Sequence, residues 1–468
     1  MLQRTASRLG LGISRFFHAS APDPFVLAVL LTVVAAVLAL MLGDFPGAAD
    51  DAPRQTVLLD AWRADTGLWR FLAFSMQMCL ILVTGHALAA SKPARAAIDT
   101  LARLPRSGPS GVLLVGVTAA LAGLVNWGLG LIVGALLARE VARSLASREI
   151  PAHYPVLCAA GYLGLLVWHG GLSGSAPLSV TTPEGAAKVL PASALETMGD
   201  VGIGLGQTLF TPLNLFVSGG LVVLAPLVLW LLTPRDPELC RSIDDVADLP
   251  VGHATETRRP IETFPDWLER TPPMAWLLAV LLIAAFIRYA RHDGLGSIGL
   301  NEINAAMLAL GLILHGSLDS YTRAVREAAS GCACIIIQFP LYAGIMAILD
   351  TSGLIEMFAK ALARGGETAV PFLSFLSAAV VNVFVPSGGG QWGIQGPVAL
   401  KAGFAAGVAP GKMVMAVSYG DQLTNMLQPF WALPLLAITG ARARDIVGYT
   451  ALVMLAAGAW IAIGLFLF

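Results

Sequence analysis

The most unusual ionisable side chain in this sequence is that of Asp421. It is the single acidic residue between Glu367 and Asp445, and most residues around it are apolar. A carboxylate inside a membrane costs several kcal/mol unless it is paired, hydrated or protonated, so function is the default interpretation. We predict that Asp421 exchanges a proton or helps to bind a small cation. The structural alternative is that it pairs with a nearby donor, such as Thr424 or Asn425.

Four stretches rich in glycine interrupt the apolar tracts, at residues 125–130, 168–177, 386–392 and 419–431. Glycine lets the backbone approach a ligand closely, and a helix that restarts after a break presents N–H groups to an anion. Unwound carbonyls with Asn, Ser and Thr oxygens can instead hold a small cation. Helix packing explains any single break equally well, but four breaks in matched pairs favour function.

These breaks supply a candidate binding site for a small anion with a short hydrocarbon tail. Bulky aromatic residues beside the breaks can wall an apolar pocket: Trp127, Trp168, Trp392, Phe430 and Trp431. The residues that we expect to contact the ligand are Asn126, Trp127, Gly128, Ser173, Ser175, Asn382, Ser387, Gly388, Gly389, Gln391, Trp392 and Asn425. We group His169, which lies inside the second break, with Asp421 as an ion-coupling candidate. We predict no catalytic residue and no bound metal.

The composition identifies the class of protein. Of the 468 residues, 56% are hydrophobic and 13% are charged, whereas soluble domains carry about 25% charged residues. The net charge of −1 argues against nucleic acid as a partner, and the five cysteines show no metal-ligand or disulfide pattern. The sequence therefore predicts an all-α polytopic membrane protein with the lipid bilayer as its main surroundings.

The apolar tracts and basic loops predict the membrane topology. Basic residues flank the tract 107–138 on both sides, which excludes an odd number of crossings and favours a re-entrant helical hairpin with Asn126 at its tip. The tract 368–400 resembles it. We predict about nine spans plus two hairpins, with a cytoplasmic N-terminus and an external C-terminus. Arginines among apolar residues predict an amphipathic interfacial segment at residues 1–20.

The two halves of the chain share an order of polar residues at nearly constant spacing: Gln77, Asn126, Tyr162 and Pro177, then Gln338, Asn382, Tyr419 and Pro434. We predict a first membrane repeat at 21–234, a cytoplasmic connector at 235–270, a linking span at 271–290 and a second repeat at 301–468. Because the linking span inverts the second half, the repeats are inverted. Inverted repeats with broken helices are typical of secondary transporters that bind substrate between the repeats.

Two other function classes fit part of the pattern. A carboxylate or ion channel can place selectivity loops at the same breaks, and it would dissipate an ion gradient without an organic substrate. An intramembrane hydrolase could use Ser173, because residues 171–174 read Gly-Leu-Ser-Gly. Its histidine base would have to come from His86 or His315, and the matched breaks would have no role in the reaction.

Several strings in the sequence resemble the short-chain fatty acid transporter family of bacteria, along essentially the whole chain. They are PDPF at 22–25, TGHAL at 84–88, NWG at 126–128, GLSGS at 171–175, QFP at 338–340, VPSGGG at 385–390, IQGP at 394–397 and QPFWALP at 428–434. The resemblance implies uptake of short-chain monocarboxylates, such as acetoacetate or butyrate, across the inner membrane. It implies no cofactor beyond a coupling ion, sodium or proton, and it is compatible with a homodimer. His169 and Asp421 depart from the family pattern, in which we expect a small residue and a glutamate.

Overall fold

All regular secondary structure in the described part of the chain is helical. The computed structural model describes residues 24–46, 52–190, 192, 195–196, 202–246, 261–384 and 388–468. The predicted amphipathic segment at 1–20 and Ser387 lie outside the described residues, as do residues 247–260 of the predicted connector. The all-α class predicted from the sequence is confirmed.

The helices of the first half are α1 (Pro24–Leu42), α2 (Arg54–Arg63), α3 (Leu72–Ala90), α4 (Lys92–Ala102), α5 (Gly108–Val125), α6 (Trp127–Ala146), α7 (Tyr154–Gly161), α8 (Gly164–Val167), α9 (Ser175–Ser179), α10 (Pro183–Val189) and α11 (Pro212–Leu232). The predicted connector contains the short helices α12 (Ile243–Val246) and α13 (Phe264–Arg270). The next helix, α14 (Pro272–His292), matches the predicted linking span.

The helices of the second half are α15 (Leu300–His315), α16 (Leu318–Ala329), α17 (Ala333–Thr351), α18 (Leu354–Ala363), α19 (Gly366–Phe384), α20 (Gly388–Ala405), α21 (Pro410–Thr424), α22 (Pro429–Thr439) and α23 (Ala443–Leu467). Among the described residues, seven helices are long and apolar enough to cross a membrane, or eight if the bent pair α16–α17 forms one span. The nine spans of the sequence analysis stay a prediction. Large apolar side chains on α1, α11, α14 and α23 are exposed, as lipid contact requires.

Helices α5 and α6 form a helical hairpin with Asn126 between them, at the position of the first predicted hairpin, and its re-entry into the membrane stays a prediction. Asn126 has an extended backbone and its Oδ1 accepts the N–H of Leu129 at 2.9 Å, which begins α6. The two helices then run back along each other so closely that a Cβ on Gly130 would lie 2.5 Å from the Cα of Gly123. Glycine at both positions allows this approach.

The second hairpin is formed by α19 and α20. Gln391 donates from Nε2 to the carbonyl of Ala378 at 2.8 Å, and Gln395 donates to the hydroxyl of Ser377 at 2.7 Å. These bonds join residues on opposite arms of the hairpin, so the arms are antiparallel. The Gly-rich string at 388–392 forms the first turn of α20, whereas the sequence analysis treated it as an unwound tip.

Two helical segments are discontinuous, one in each half. After α7 and α8 the chain forms a 3₁₀ turn at Trp168–Gly170 and an extended Gly174 before α9 begins. In the second half α21 continues to Thr424 and is followed by the 3₁₀ turn Asn425–Leu427. We call these turns, with the connections that follow them, break 1 (residues 168–174) and break 2 (residues 425–428). Asp421 thus lies on a helix beside break 2, and the interruption predicted at 419–431 is narrower than expected.

Candidate functional site

The tip of the first hairpin is bonded to break 1 of its own half. The backbone N–H of Trp127 donates to Oγ of Ser173 at 2.9 Å, and the N–H of Leu172 donates to the carbonyl of Leu124 at 2.7 Å. The Asn126 amide donates to the carbonyl of Ile81 on α3 at 3.3 Å. Both polar atoms of the Asn126 side chain therefore have protein partners.

The second hairpin is bonded to break 2 in the corresponding way. Nδ2 of Asn382 lies 2.6 Å from the Asp421 carbonyl, 3.0 Å from Oγ1 of Thr424 and 2.9 Å from Oδ1 of Asn425. The carbonyl of Asn382 accepts a hydrogen bond from the Gln428 amide. Oδ1 of Asn382 has no hydrogen-bond partner among the described residues, although the side chain is fully buried.

Each hairpin also contacts the discontinuous segment of the other half. The start of α20 lies against break 1, because a Cβ on Gly388 would overlap Nε2 of His169 and approach the Trp168 ring to 2.6 Å. In the reverse direction, the Trp127 ring at the start of α6 packs edge-on against Trp431 of α22, with centroids 5.4 Å apart. Trp168 of break 1 thus contacts residues of both hairpins, Trp127 of the first and Gly388 of the second.

Two tyrosines make a further reciprocal exchange between the halves. The Tyr162 hydroxyl lies 2.9 Å from the carbonyl of Asn425 and 3.0 Å from that of Gln428, both in break 2. The Tyr419 hydroxyl donates to Oδ1 of Asn214 at 3.1 Å, and Asn214 donates in turn to the carbonyl of Gly170 in break 1. Each tyrosine thus stabilises the break of the opposite half.

Asp421 faces His169 across the boundary between the halves. Nε2 of His169 lies 3.3 Å from Oδ1 of Asp421, and the two side chains are 1% and 2% exposed. Neither the imidazole nor the carboxyl makes a hydrogen bond within the described part of the chain. The structural alternative, in which the Asp421 carboxyl pairs with Thr424 or Asn425, is wrong here: only its backbone carbonyl joins that network, through Asn382.

Many buried side-chain polar atoms without a hydrogen-bond partner among the described residues belong to the hairpins and breaks or to residues beside them. They are Nε1 of Trp127, Trp168 and Trp392, both ring nitrogens of His169, Oγ of Ser175, Oδ1 of Asn382, Oε1 of Gln391 and Gln428, and the carboxyl and amide atoms of Asp421 and Gln422. The side-chain nitrogens of Asn382, Gln391 and Gln428 do have partners. Buried polar groups are normally paired, so a cluster of unpaired ones indicates a ligand, an ion or water. The arrangement can bind a carboxylate through the first turn of α20 and surround its hydrocarbon part with aromatic rings.

The sequence profile of the short chain fatty acid transporter family matches residues 1–468. The match covers the entire chain, including both hairpins and both breaks. The chain belongs to the short-chain fatty acid transporter family. This family consists of transporters and not of enzymes, so the hydrolase interpretation of Ser173 is wrong; its Oγ instead accepts the N–H of Trp127.

Curated relatives of this transporter agree with the family assignment. A protein of Escherichia coli strain K12, named as a proposed short-chain fatty acid transporter, is 37% identical over 469 residues, covering 98% of this chain and 99% of the relative. A protein of Haemophilus influenzae with the same name is 36% identical over 453 residues, covering 96% and 97%.

Two solved structures share the fold of the transporter. MtrF of Neisseria gonorrhoeae, from a class of antimetabolite efflux pumps, gives a TM-score of 0.57 at 17% identity, covering 99% of this chain and 97% of MtrF. YdaH of Alcanivorax borkumensis, a transporter with an unusual topology, gives 0.55 at 17% identity, covering 95% and 97%. At this identity the likeness shows the fold alone.

Two cavities of the transporter are lined by residues that belong to a hairpin or pack against one. One, of about 600 Å³, lies between α6 and α22 and is lined by Arg139 and Ile438, which are joined by a 3.3 Å hydrogen bond. The other, of about 780 Å³, is lined by Phe74, whose ring lies against Gly389 at the start of α20. His169 and Asp421 line neither of these cavities, so the pair is closed off from both.

The structure brings most of the predicted site residues together. Asn126, Trp127 and Gly128 lie at the first tip, Ser173 and Ser175 lie in or beside break 1, and Asn382 and Asn425 form the network at break 2. Gly388, Gly389 and Gln391 lie in the first turn of α20. Trp392 is fully buried but packs against Gly396 of its own helix, whereas Trp127 and Trp168 stack edge to face.

Sequence reasoning missed the roles of Tyr162, Tyr419, Asn214 and Gln428. The sequence analysis used the two tyrosines only as markers of the repeat, although their nearly equal spacing from the hairpin asparagines was the available signal. Nothing in the spacing indicated that each hydroxyl crosses to the opposite half. Likewise, His169 and Asp421 were both named as coupling candidates, but their contact joins residues far apart in sequence.

Proposed function

We propose that this transporter is a secondary active carrier of short-chain monocarboxylates, such as butyrate or acetoacetate, in the bacterial inner membrane. It moves its substrate by alternating access, coupled to a proton or sodium ion through Asp421 and His169. The observation that carries the proposal is the meeting of both hairpins with both breaks around a cluster of unpaired buried polar groups. The curated relatives carry names with the same substrate class.

The first turn of α20 supplies the carboxylate-binding part of the proposed site. Helix N-termini favour anions because their N–H groups are unpaired and the helix dipole is positive there. The unpartnered and buried His169 and Ser175 are independent indications of a polar ligand at this place. Ser387, directly before α20, stays a predicted contact.

The hydrocarbon part of the substrate fits the aromatic cluster of Trp127, Trp168 and Trp431. The Trp127 ring lies 6.1 Å from the Trp168 ring and 5.4 Å from the Trp431 ring, so one tryptophan joins both halves. A tail of a few methylene groups gains about 0.8 kcal/mol for each group that it buries here. The size of this cluster is the proposed reason for short-chain selectivity.

Alternating access is supported by the reciprocal contacts of the two halves. The tip residues Trp127 and Asn382 hydrogen-bond within their own halves, whereas Trp127 contacts the other half through its ring and Gly388 through close approach. Neither of the two cavities is lined by His169 or Asp421, as expected for an occluded state in which the pair is closed to both. This is the arrangement that inverted repeats produce in secondary transporters. The inverted repeats, the topology of the termini and a homodimer stay predictions.

Uptake by purified protein in liposomes tests the proposed function. Labelled butyrate or acetoacetate should enter in a saturable manner, and faster when the vesicles are preloaded with unlabelled substrate. Protein-free liposomes are the essential control, because the undissociated acids cross lipid unaided. Flux that is neither saturable nor stimulated by internal substrate contradicts a carrier. Dissipation of an ion gradient without any organic substrate would identify a channel instead.

A further inference from the structure

We propose that the coupled ion is a proton, exchanged because Asp421 and the substrate carboxylate compete for the single Nε2–H of His169. This inference rests on the proposed function and names its coupling ion. Nε2 of His169 lies 3.3 Å from Oδ1 of Asp421 on one side. The same nitrogen lies against Gly388, in the first turn of α20, whose N–H groups can bind an anion. One donor therefore stands between two carboxylate positions.

No other charged side chain lies close to the pair in the described residues. The elements packed against it are α5, α8, α9, α11, α19, α20, α21, α23 and the turn of break 2. No ionisable residue lies in α5, α8, α9, α11 or break 2. His169 itself lies in break 1, which adjoins α8 and α9. The ionisable residues on the others, besides Asp421, are Glu367, Lys401, Lys412, Tyr419, Arg444, Asp445 and Tyr449.

Those remaining groups do not neutralise Asp421. Lys412 lies nine residues before Asp421 on α21, about 13 Å along the helix. Glu367 on α19 and Lys401 on α20 are each at least this far along their helix from the residues that approach the pair. Arg444 and Asp445 lie at the start of α23. The phenol of Tyr419 donates to Asn214, and that of nearby Tyr162 donates to break 2. His169 is therefore the group that decides whether a carboxylate is stable here.

A proton fits this site better than a sodium ion. Near break 2, the Asp421 carbonyl, Oγ1 of Thr424 and Oδ1 of Asn425 share the two hydrogens of Asn382 Nδ2, and the oxygens without a partner are Oδ1 of Asn382, Oε1 of Gln428 and the Asp421 carboxyl. The partner of the Asp421 carboxyl is an imidazole nitrogen, which is a proton donor and not a ligand for a hard cation. The buried carboxyl can instead be neutralised by protonation.

The exchange balances in charge and in protons. In the proposed cycle Asp421 of the empty carrier is ionised, and the N–H on Nε2 of His169, 3.3 Å from Oδ1, turns towards it. A substrate carboxylate that binds at α20 takes over this donor, and Asp421 takes up one proton from the same solution. One buried negative charge is present before and after binding, and the cargo is one proton plus one carboxylate. Release on the other side reverses both steps, so transport is electroneutral.

Proton uptake on binding tests this inference directly. Butyrate binding to the purified protein is measured by calorimetry without sodium, in buffers of different ionisation enthalpy, between about pH 6 and 8. We expect about one proton taken up per butyrate at the upper end of this range, with the Kd rising about tenfold per pH unit there. Asp421→Asn should bind butyrate with almost no proton uptake and a Kd that changes little with pH.

Matched variants keep the test decisive. Glu367→Gln is the same acid-to-amide change outside the pair and should retain the wild-type proton number. Asp421→Glu keeps a titratable group and should also take up about one proton, while His169→Leu should weaken binding at least about tenfold because the shared donor is lost. Wild-type binding without proton uptake, or binding that needs sodium, overturns the inference and leaves the proposed function standing. A wild-type protein that binds neither butyrate nor acetoacetate overturns both.

Discussion

Break 1 and break 2 are bonded to the hairpins in similar ways but carry different chemistry. In each half a residue at or next to the hairpin asparagine is hydrogen-bonded to the adjacent break. Tyr162 of the first half donates to break 2, and Tyr419 of the second half donates to Asn214, which is bonded to break 1. Break 1 contributes an imidazole and a tryptophan, whereas the helix before break 2 contributes a carboxyl. The framework is thus nearly symmetric and the ionisable groups are not. A symmetric framework suits movement between two openings, and an asymmetric pair suits the coupling of one ion.

The largest expected effect tests the chemical difference between the breaks. Asp421→Asn should abolish accumulation of butyrate against a gradient while retaining exchange of internal for external butyrate, because the neutral side chain no longer carries a proton. Glu367→Gln should accumulate substrate as the wild type does. An Asp421→Asn protein that still concentrates butyrate with the wild-type response to pH would remove Asp421 from coupling.

The two hairpin asparagines should differ in role: Asn382 supports substrate binding, whereas Asn126 supports the stability of the fold. Asn382→Ala should raise the Kd for butyrate roughly ten- to hundredfold, because its loss frees break 2 and leaves several acceptors unpaired. Asn126→Ala removes the cap of α6 and should lower the free energy of unfolding by about 1 kcal/mol, with little change in Kd. Binding titrations and thermal unfolding on both variants check this. Equal changes in Kd would argue that the two tips have the same role.

The tryptophans distinguish the aromatic cluster from general packing. Trp127→Ala should open space beside Trp168 and Trp431 and improve binding of longer acids, by about 0.8 kcal/mol for each extra buried methylene. Trp392→Ala should instead destabilise α20 without changing the order of preference among chain lengths. Competition by acids of increasing length against labelled butyrate measures both. If Trp127→Ala keeps the wild-type preference for short acids and Trp392→Ala binds longer acids more tightly, then Trp392 and not Trp127 lines the hydrocarbon site.

The smallest expected effects test the reciprocity of the tyrosines. Tyr162→Phe and Tyr419→Phe each remove a buried hydroxyl that donates to the opposite half. Each should lower the free energy of unfolding by about 1 kcal/mol, since acceptors are left unpaired. Thermal unfolding of the two variants and of the double variant provides the measurement. A substitution that stabilises the protein would show that the hydroxyl is strained and not supportive.

Much of the fold could be read from the sequence because it follows from local physics. Apolar tracts of membrane length predict helices, and Asn126 with Gly128 two residues later predicts a break, which the structure places between the end of α5 and the cap of α6. The exact limits of break 2 could not be read in this way. Glycine and polar residues at 419–424 suggested an unwound segment, but close packing of α21 against α19 keeps them helical: a Cβ on Gly420 would lie 2.5 Å from Cβ of Ala378.

The sequence could show which residues belong to the site, but it could not show which of them contact each other. Asp421 and His169 each stood out as polar residues in apolar surroundings, which is a local property. Their contact depends on how the two halves pack, as does the approach of Gly388 to His169. Trp392 shows the same limit: its sequence position beside a tip suggested a ligand contact, whereas its helix directs the ring towards Gly396.

The central claim is that the start of α20 and break 1 form one carboxylate site, and butyrate binding to a pair of glycine variants tests it most directly. Gly388→Ala places a methyl group against His169 and Trp168, whereas Gly219→Ala on α11 places one where no atom lies within 4 Å. The account predicts that Gly388→Ala raises the Kd at least about tenfold and that Gly219→Ala leaves it unchanged. Wild-type affinity in a folded Gly388→Ala protein would contradict the claim.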